Sequence, residues 1–150
     1  MAFDGNFLCT SFKVELMKGI HNFTAASDQF KLALYDNNAS FTAATTAYTG
    51  TNEISGTNYT AKGQFLTSVT PVASSTTAFT DFVDEQFSTV TISAVRGALI
   101  YNEATTTVTS PTSIDSTVCV LDFGADKAAS SGNFTIVFPT ADASNAIIRI

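Results

Sequence analysis

Tryptophan is absent from this 150-residue chain, histidine occurs once, cysteine twice and proline three times, and seven basic residues stand against thirteen acidic ones. The basic residues are scattered and the net charge is −6 with a pI of about 4.4. That opposes any partner held by phosphate neutralisation, which needs clustered Lys and Arg, so no nucleic-acid partner is expected. Cys9 and Cys119 lie far apart and do not form the dense, even framework of a small secreted domain. They read as reduced, buried thiols, with a single bridge as the alternative. A nucleophilic triad needs a base, and the sole histidine, His21, falls near the end of a helix-like segment. It reads as a partly exposed residue complementing the helix dipole. Without tryptophan, a sugar-binding face would rest on Tyr35, Tyr48, Tyr59 and Tyr101, which suit core or loop-anchoring roles better. No apolar run approaches the ~18 residues of a spanning helix, so no membrane partner is expected. Asp4 stands where a secretory leader would carry positive charge, so export through a signal peptide is not expected either. Four Asn-x-Ser/Thr sequons, at Asn22, Asn38, Asn58 and Asn133, carry little weight in a chain so rich in Ser and Thr.

What the chain does have is twenty-four threonines and fifteen serines interleaved with short runs of Phe, Val, Ile and Leu. Branched and flat side chains pack well on a pleated, half-buried surface, so this is the composition of a β protein. One segment departs from it. From Thr10 to Phe23 the apolar residues Phe12, Leu16, Met17, Ile20 and Phe23 recur at spacings of three and four, which predicts a helix over 10–23. Thr10 or Ser11 is placed to cap its start, and Glu15 is read in the first turn, facing the positive end of the dipole. The helix either covers a face or end of a sheet or belongs to an arm over residues 1–8, whose Phe3, Phe7 and Leu8 add apolar surface suited to a partner subunit.

After the helix the period changes to two. FKLALY, Phe30 to Tyr35, alternates as a half-buried strand. Residues 36–62 are dominated by Asn, Ala, Thr and Gly and predict a long surface loop, with Tyr48, Ile54 and Tyr59 as the only large side chains able to pin it. Further strands are predicted over 64–72, 77–83, 87–95, 98–101, 118–123, 134–138 and 146–150, giving about eight from Phe30 onward. No helical crossovers separate them. The fold expected for residues 1–150 is one mainly β domain, an antiparallel β-sandwich or jelly-roll-like barrel with one short N-terminal α-helix. The final strand is expected inside a sheet, because untied termini fray.

Two carboxylate groups invite a chemical reading: Asp81, Asp84 and Glu85, and Asp122 with Asp126 around Gly124. Pairs of carboxylates serve glycoside hydrolysis, and clusters of them bind calcium. Neither group has the spacing of a known ligand loop, and both fall at strand ends where Asp commonly caps turns. No catalytic residue, metal ligand or cofactor is assigned.

Several blocks have a familiar order and spacing: FKLALY, then TTAYTGTNEISGTNYTAKGQFL from Thr45 to Leu66, ISAVRGALIYNEA from Ile92 to Ala104, and VLDFGADKAASSGNFTIVFPTADASNAIIRI from Val120 onward. Together they resemble the small virion structural proteins of tailed bacteriophages, and among these the capsid decoration or cement proteins. The resemblance implies a non-enzymatic role on the outer capsid surface, with the major capsid protein or neighbouring copies of the chain as partners. It also implies contact through an arm and a loop, for which Phe3, Phe7, Leu8, Tyr48, Ile54 and Tyr59 are the expected residues. The alternative it implies is a tail, baseplate or fibre-associated protein, with host glycans as possible ligands.

Overall fold

A computed structural model describes residues 3–24, 27–103 and 115–150. Along the chain lie β1 (Phe7–Leu8), α1 (Thr10–Met17), β2 (Gln29–Tyr35), β3 (Gln64–Phe65), β4 (Val72–Ser74), β5 (Thr77–Thr80), β6 (Glu85–Glu103), β7 (Ser116–Ile136) and β8 (Ile148–Arg149). One sheet has the order β1-β7-β6-β2-β3 and a second has β4-β5-β8, and all the pairings are antiparallel. The result is the expected mainly β, sandwich-like architecture with one short helix.

β6 and β7 are the spine. They pair from Glu85↔Ile136 to Asn102↔Ser116, and β2 lies on β6 in unbroken register from Gln29↔Glu103 to Tyr35↔Gly97. Leu32, Leu34, Leu99, Ile100, Val118 and Val120 are fully buried there, each worth about 1.5–3 kcal/mol relative to exposure. Phe82, just after β5, joins the two sheets: its ring lies 5.6 Å from Phe30, 6.1 Å from Phe23 and 5.7 Å from Phe138.

Where strands 87–95 and 98–101 were expected, β6 runs through both, and β7 likewise absorbs 118–123, the turn-like GADK and the start of 134–138. Bulges make this possible. The register slips at several points, and Thr89, Ala94, Gly124 and Ser131 take positive φ. Residues 123–126 loop out opposite Arg96 alone, between Val95↔Lys127 and Gly97↔Asp122. The turn chemistry of Gly124 is therefore real, but it bends a strand instead of ending one.

The helix is shorter than its periodicity predicts. Gly19 takes φ +70°, and the Ile20 amide reaches the Glu15 carbonyl at 3.0 Å while the Gly19 amide reaches Leu16 at 3.0 Å, a Schellman ending that stops α1 at Met17. Its N-cap is Cys9, with no side-chain cap. Glu15 is in the second turn and buried, so its expected place at the dipole is corrected. The 64–72 strand is reduced to β3 and β4, and β8 lies at a sheet edge instead of inside. Cys9 and Cys119 are free and buried, and burial pushes both thiols up.

Two left-handed glycines separate sterics from backbone preference. At Gly63 (φ +70°) an added Cβ would meet the Leu32 carbonyl oxygen, while at Gly124 (φ +73°) it would meet open space. Gly63→Ala is expected to lose about 3 kcal/mol or more in chemical denaturation and Gly124→Ala about 1 kcal/mol. Equal losses would contradict this packing.

Candidate functional site

The six side chains expected at an interface are all engaged within the fold. Phe3 is 2% exposed, 5.8 Å edge-to-face from Phe41 and packed over Gly97. Phe7 and Leu8, half-buried, pair with Val120 and Cys119. Asn6 Oδ1 accepts from the Asp122 amide at 2.7 Å. The expectation of a separable arm over residues 1–8 is therefore corrected: from Phe3 onward it is part of the body.

The 36–62 connection is tied down by Glu53. Its carboxylate accepts from the Tyr48 hydroxyl, from Tyr59 at 2.7 Å and from the Lys62 amide at 2.8 Å. Tyr59 also accepts from the Leu34 amide at 2.9 Å, Tyr35 donates to the Thr49 carbonyl at 2.6 Å, and Tyr101 donates to the Lys62 carbonyl at 2.8 Å. Buried Ile54 donates its amide to Leu34 at 3.0 Å, and Thr57 bridges to Thr91 of β6. Backbone that would otherwise be orphaned finds partners this way. The loop-anchoring reading of the tyrosines holds, with their hydroxyls turned inward.

The carboxylate groups do not converge on a site. Buried Asp81 accepts from the Phe82 amide at 2.8 Å and the Ile147 amide at 3.1 Å, tying the segment leading into β8, and burial raises its pKa against those donors. Asp84 accepts from the Phe138 amide at 2.8 Å. Asp122 lies 3.1 Å from Arg96 and is held below the usual carboxylate range, first by the Gly124 amide and then by that guanidinium; Asp126 stands 4.0 Å from Arg96. Among the described residues no three His, Cys, Asp or Glu side chains are grouped to hold a metal.

A buried polar junction was not anticipated. His21, read from sequence as partly exposed, is buried between Phe12 and Phe30, with Nε2 2.7 Å from Glu15 Oε2 and Nδ1 3.0 Å from Asn102 Nδ2. Asn102 Nδ2 also donates to Asp28 Oδ2 at 2.8 Å, and Ser116 Oγ donates to Glu15 Oε1 at 3.2 Å. A partial signal was present, because Glu15 follows Phe12 by three residues and so shares its helix face.

An apolar surface lies at the α1 side of the three-stranded sheet. Leu16, Phe23, Pro71, Ala78, Phe79 and Ile148 line a small cleft of about 90 Å³ between α1 and the three-stranded sheet, with Thr80 and Ile150 completing its wall. Met17, beside Leu16, is 82% exposed, and Ile150 is 75% exposed. The outer edge of β7 is a poorer docking surface, since bulges and the charges of Asp126 and Lys127 interrupt it. No family model matches the chain, and no match was found among the curated proteins or the solved structures.

Burial is the main reason that all four tyrosines are pushed above their ordinary value of 10.0, with Glu53 adding to each. A raised folded pKa means their contribution to stability is complete below pH 10 and is lost as the pH rises further. An absorbance titration is expected to show no tyrosinate step in the folded chain near pH 10, with ionisation accompanying alkaline unfolding. A step near pH 10 before unfolding would contradict the anchoring.

Proposed function

We propose that this chain is a non-enzymatic structural protein of a tailed-bacteriophage virion, a decoration protein that sits on the outer capsid surface and bridges subunits of the expanded shell. The observation that carries the reading is the apolar cleft beside Met17 and Ile150, on a body whose N-terminal segment and long loop are already tied down. Exposed apolar surface of this kind suits a small contact, and a shell repeats one modest contact many times, so that multiplicity compensates for weak single sites. The block order of the sequence supports the same assignment. The six side chains expected from sequence then act as internal supports, and the contact moves to the α1 and β8 end of the molecule.

A glycan-binding role in a tail or fibre loses support, because Tyr48 and Tyr59 spend their hydroxyls on Glu53.

The purified protein should bind expanded, undecorated shells in a sedimentation assay. Met17→Glu combined with Ile150→Glu, both exposed and so tolerable to the fold, should weaken binding by about tenfold or more, as expected for losing at least one buried apolar side chain. Undiminished binding by a folded double variant would overturn the cleft as the contact, and no binding by the parent protein would overturn the decoration role.

A further inference from the structure

The junction around His21 fixes both the tautomer and the charge of the ring. Asp28 Oδ2 accepts one N–H of the Asn102 amide at 2.8 Å, which orients that amide so that its other N–H points at His21 Nδ1, 3.0 Å away. A nitrogen that accepts carries no proton, so the ring proton sits on Nε2 and is donated to Glu15 Oε2 at 2.7 Å. Ser116 supports the far oxygen of Glu15 at 3.2 Å, and the Asn22 amide supports Asp28 at 2.8 Å. Glu15, Asp28 and Ser116 have further partners as well. The donors run one way, and a second ring proton has no acceptor facing it.

We propose that His21 is a proton-sensitive latch: protonation at Nδ1 sets two donors against each other and releases the tie between the end of α1, the 22–28 connection and the Asn102 position of β6. Turning the Asn102 amide would offer its oxygen to the ring, but would press that oxygen on Asp28. Asn102 Oδ1 is already buried without a hydrogen-bond partner, so the junction holds a polar atom in an unfavourable place even at rest. The charged groups that act on the ring are Glu15 from α1 and Asp28 from the segment before β2. Lys31 of β2 pairs with Glu103 of β6 at 2.9 Å, and Asp115, just before β7, pairs with Lys62 at 3.0 Å. Residues 25, 26 and 104–114 contain no titratable side chain.

Glu15 and Asp28 favour the imidazolium, but burial opposes it more strongly and lowers the pKa of His21 from 6.5. The opened junction therefore binds more protons than the closed one below pH 6.5, and closure weakens as the pH falls through that value.

The chain has a single histidine, so one ring reports the state without assignment ambiguity. Ring-nitrogen NMR is expected to show the Nε2–H tautomer at about pH 7.5. Amide exchange protection at Ile20 and Asn22 should fall about tenfold per pH unit below 6.5 until the folded His21 value is reached, while Leu32 and Ile100 of the β2–β6 ladder hold theirs. His21→Phe should abolish the fall. Should that variant fail to fold, the parent protein still decides the matter. An Nδ1–H ring, a ring already protonated at about pH 7.5, or unchanged protection at about pH 5 would overturn the latch.

Discussion

The long antiparallel ladder between β6 and β7 is the constraint on which the rest depends. One of its ends carries β2 and β1, with Leu99, Ile100, Val118 and Val120 fully buried; the other is bent by repeated bulges and is covered by the loop residues around Thr57. Bulges raise local twist and re-aim side chains, so Val90, Ile92 and Val95 still reach the interior although the register slips between them. Without that ladder neither the Phe82 contacts between sheets nor the loop anchors would have a surface to meet.

Uncharged polar residues cover most of the outside, and the few charged or ionisable groups inside are used as fasteners. Glu53 gathers two tyrosines and a backbone amide to hold a connection that has no strand of its own. Asp81 fastens the segment before β8, and the Glu15–His21–Asn102–Asp28 chain fastens the end of α1. Buried polar groups of this kind cost desolvation unless they are partnered; the Glu53 contacts are local to the connection, whereas those of Asp81 and Asn102 span more than sixty residues.

The β class, the strand from Phe30 to Tyr35 and the anchoring role of Tyr48, Ile54 and Tyr59 were legible because alternation and side-chain size report directly on burial. The union of strands into β6 and β7 was not, since Gly, Ala and Ser between 124 and 132 carry turn chemistry whether a strand bends or ends. Gly19 announced a weakness in the helix, but its Schellman geometry depends on backbone dihedrals that periodicity does not encode. The buried setting of His21 depended on Asn102, eighty-one residues away, and long-range pairing of that kind has no local signature. For the same reason Phe3, Phe7 and Leu8 read as a free arm when their partners lie on β6, β7 and near Phe41.

The proposed decoration role rests on an apolar cleft beside α1 in a body whose N-terminal segment and long loop are fastened down. The most direct test is the copy number of the chain in purified virions, by quantitative mass spectrometry against the major capsid protein. A decoration protein should be present at a copy number equal to that of the shell subunit or a simple fraction of it. A handful of copies would move the chain to the neck, tail or baseplate, and its absence from the particle would contradict the virion assignment.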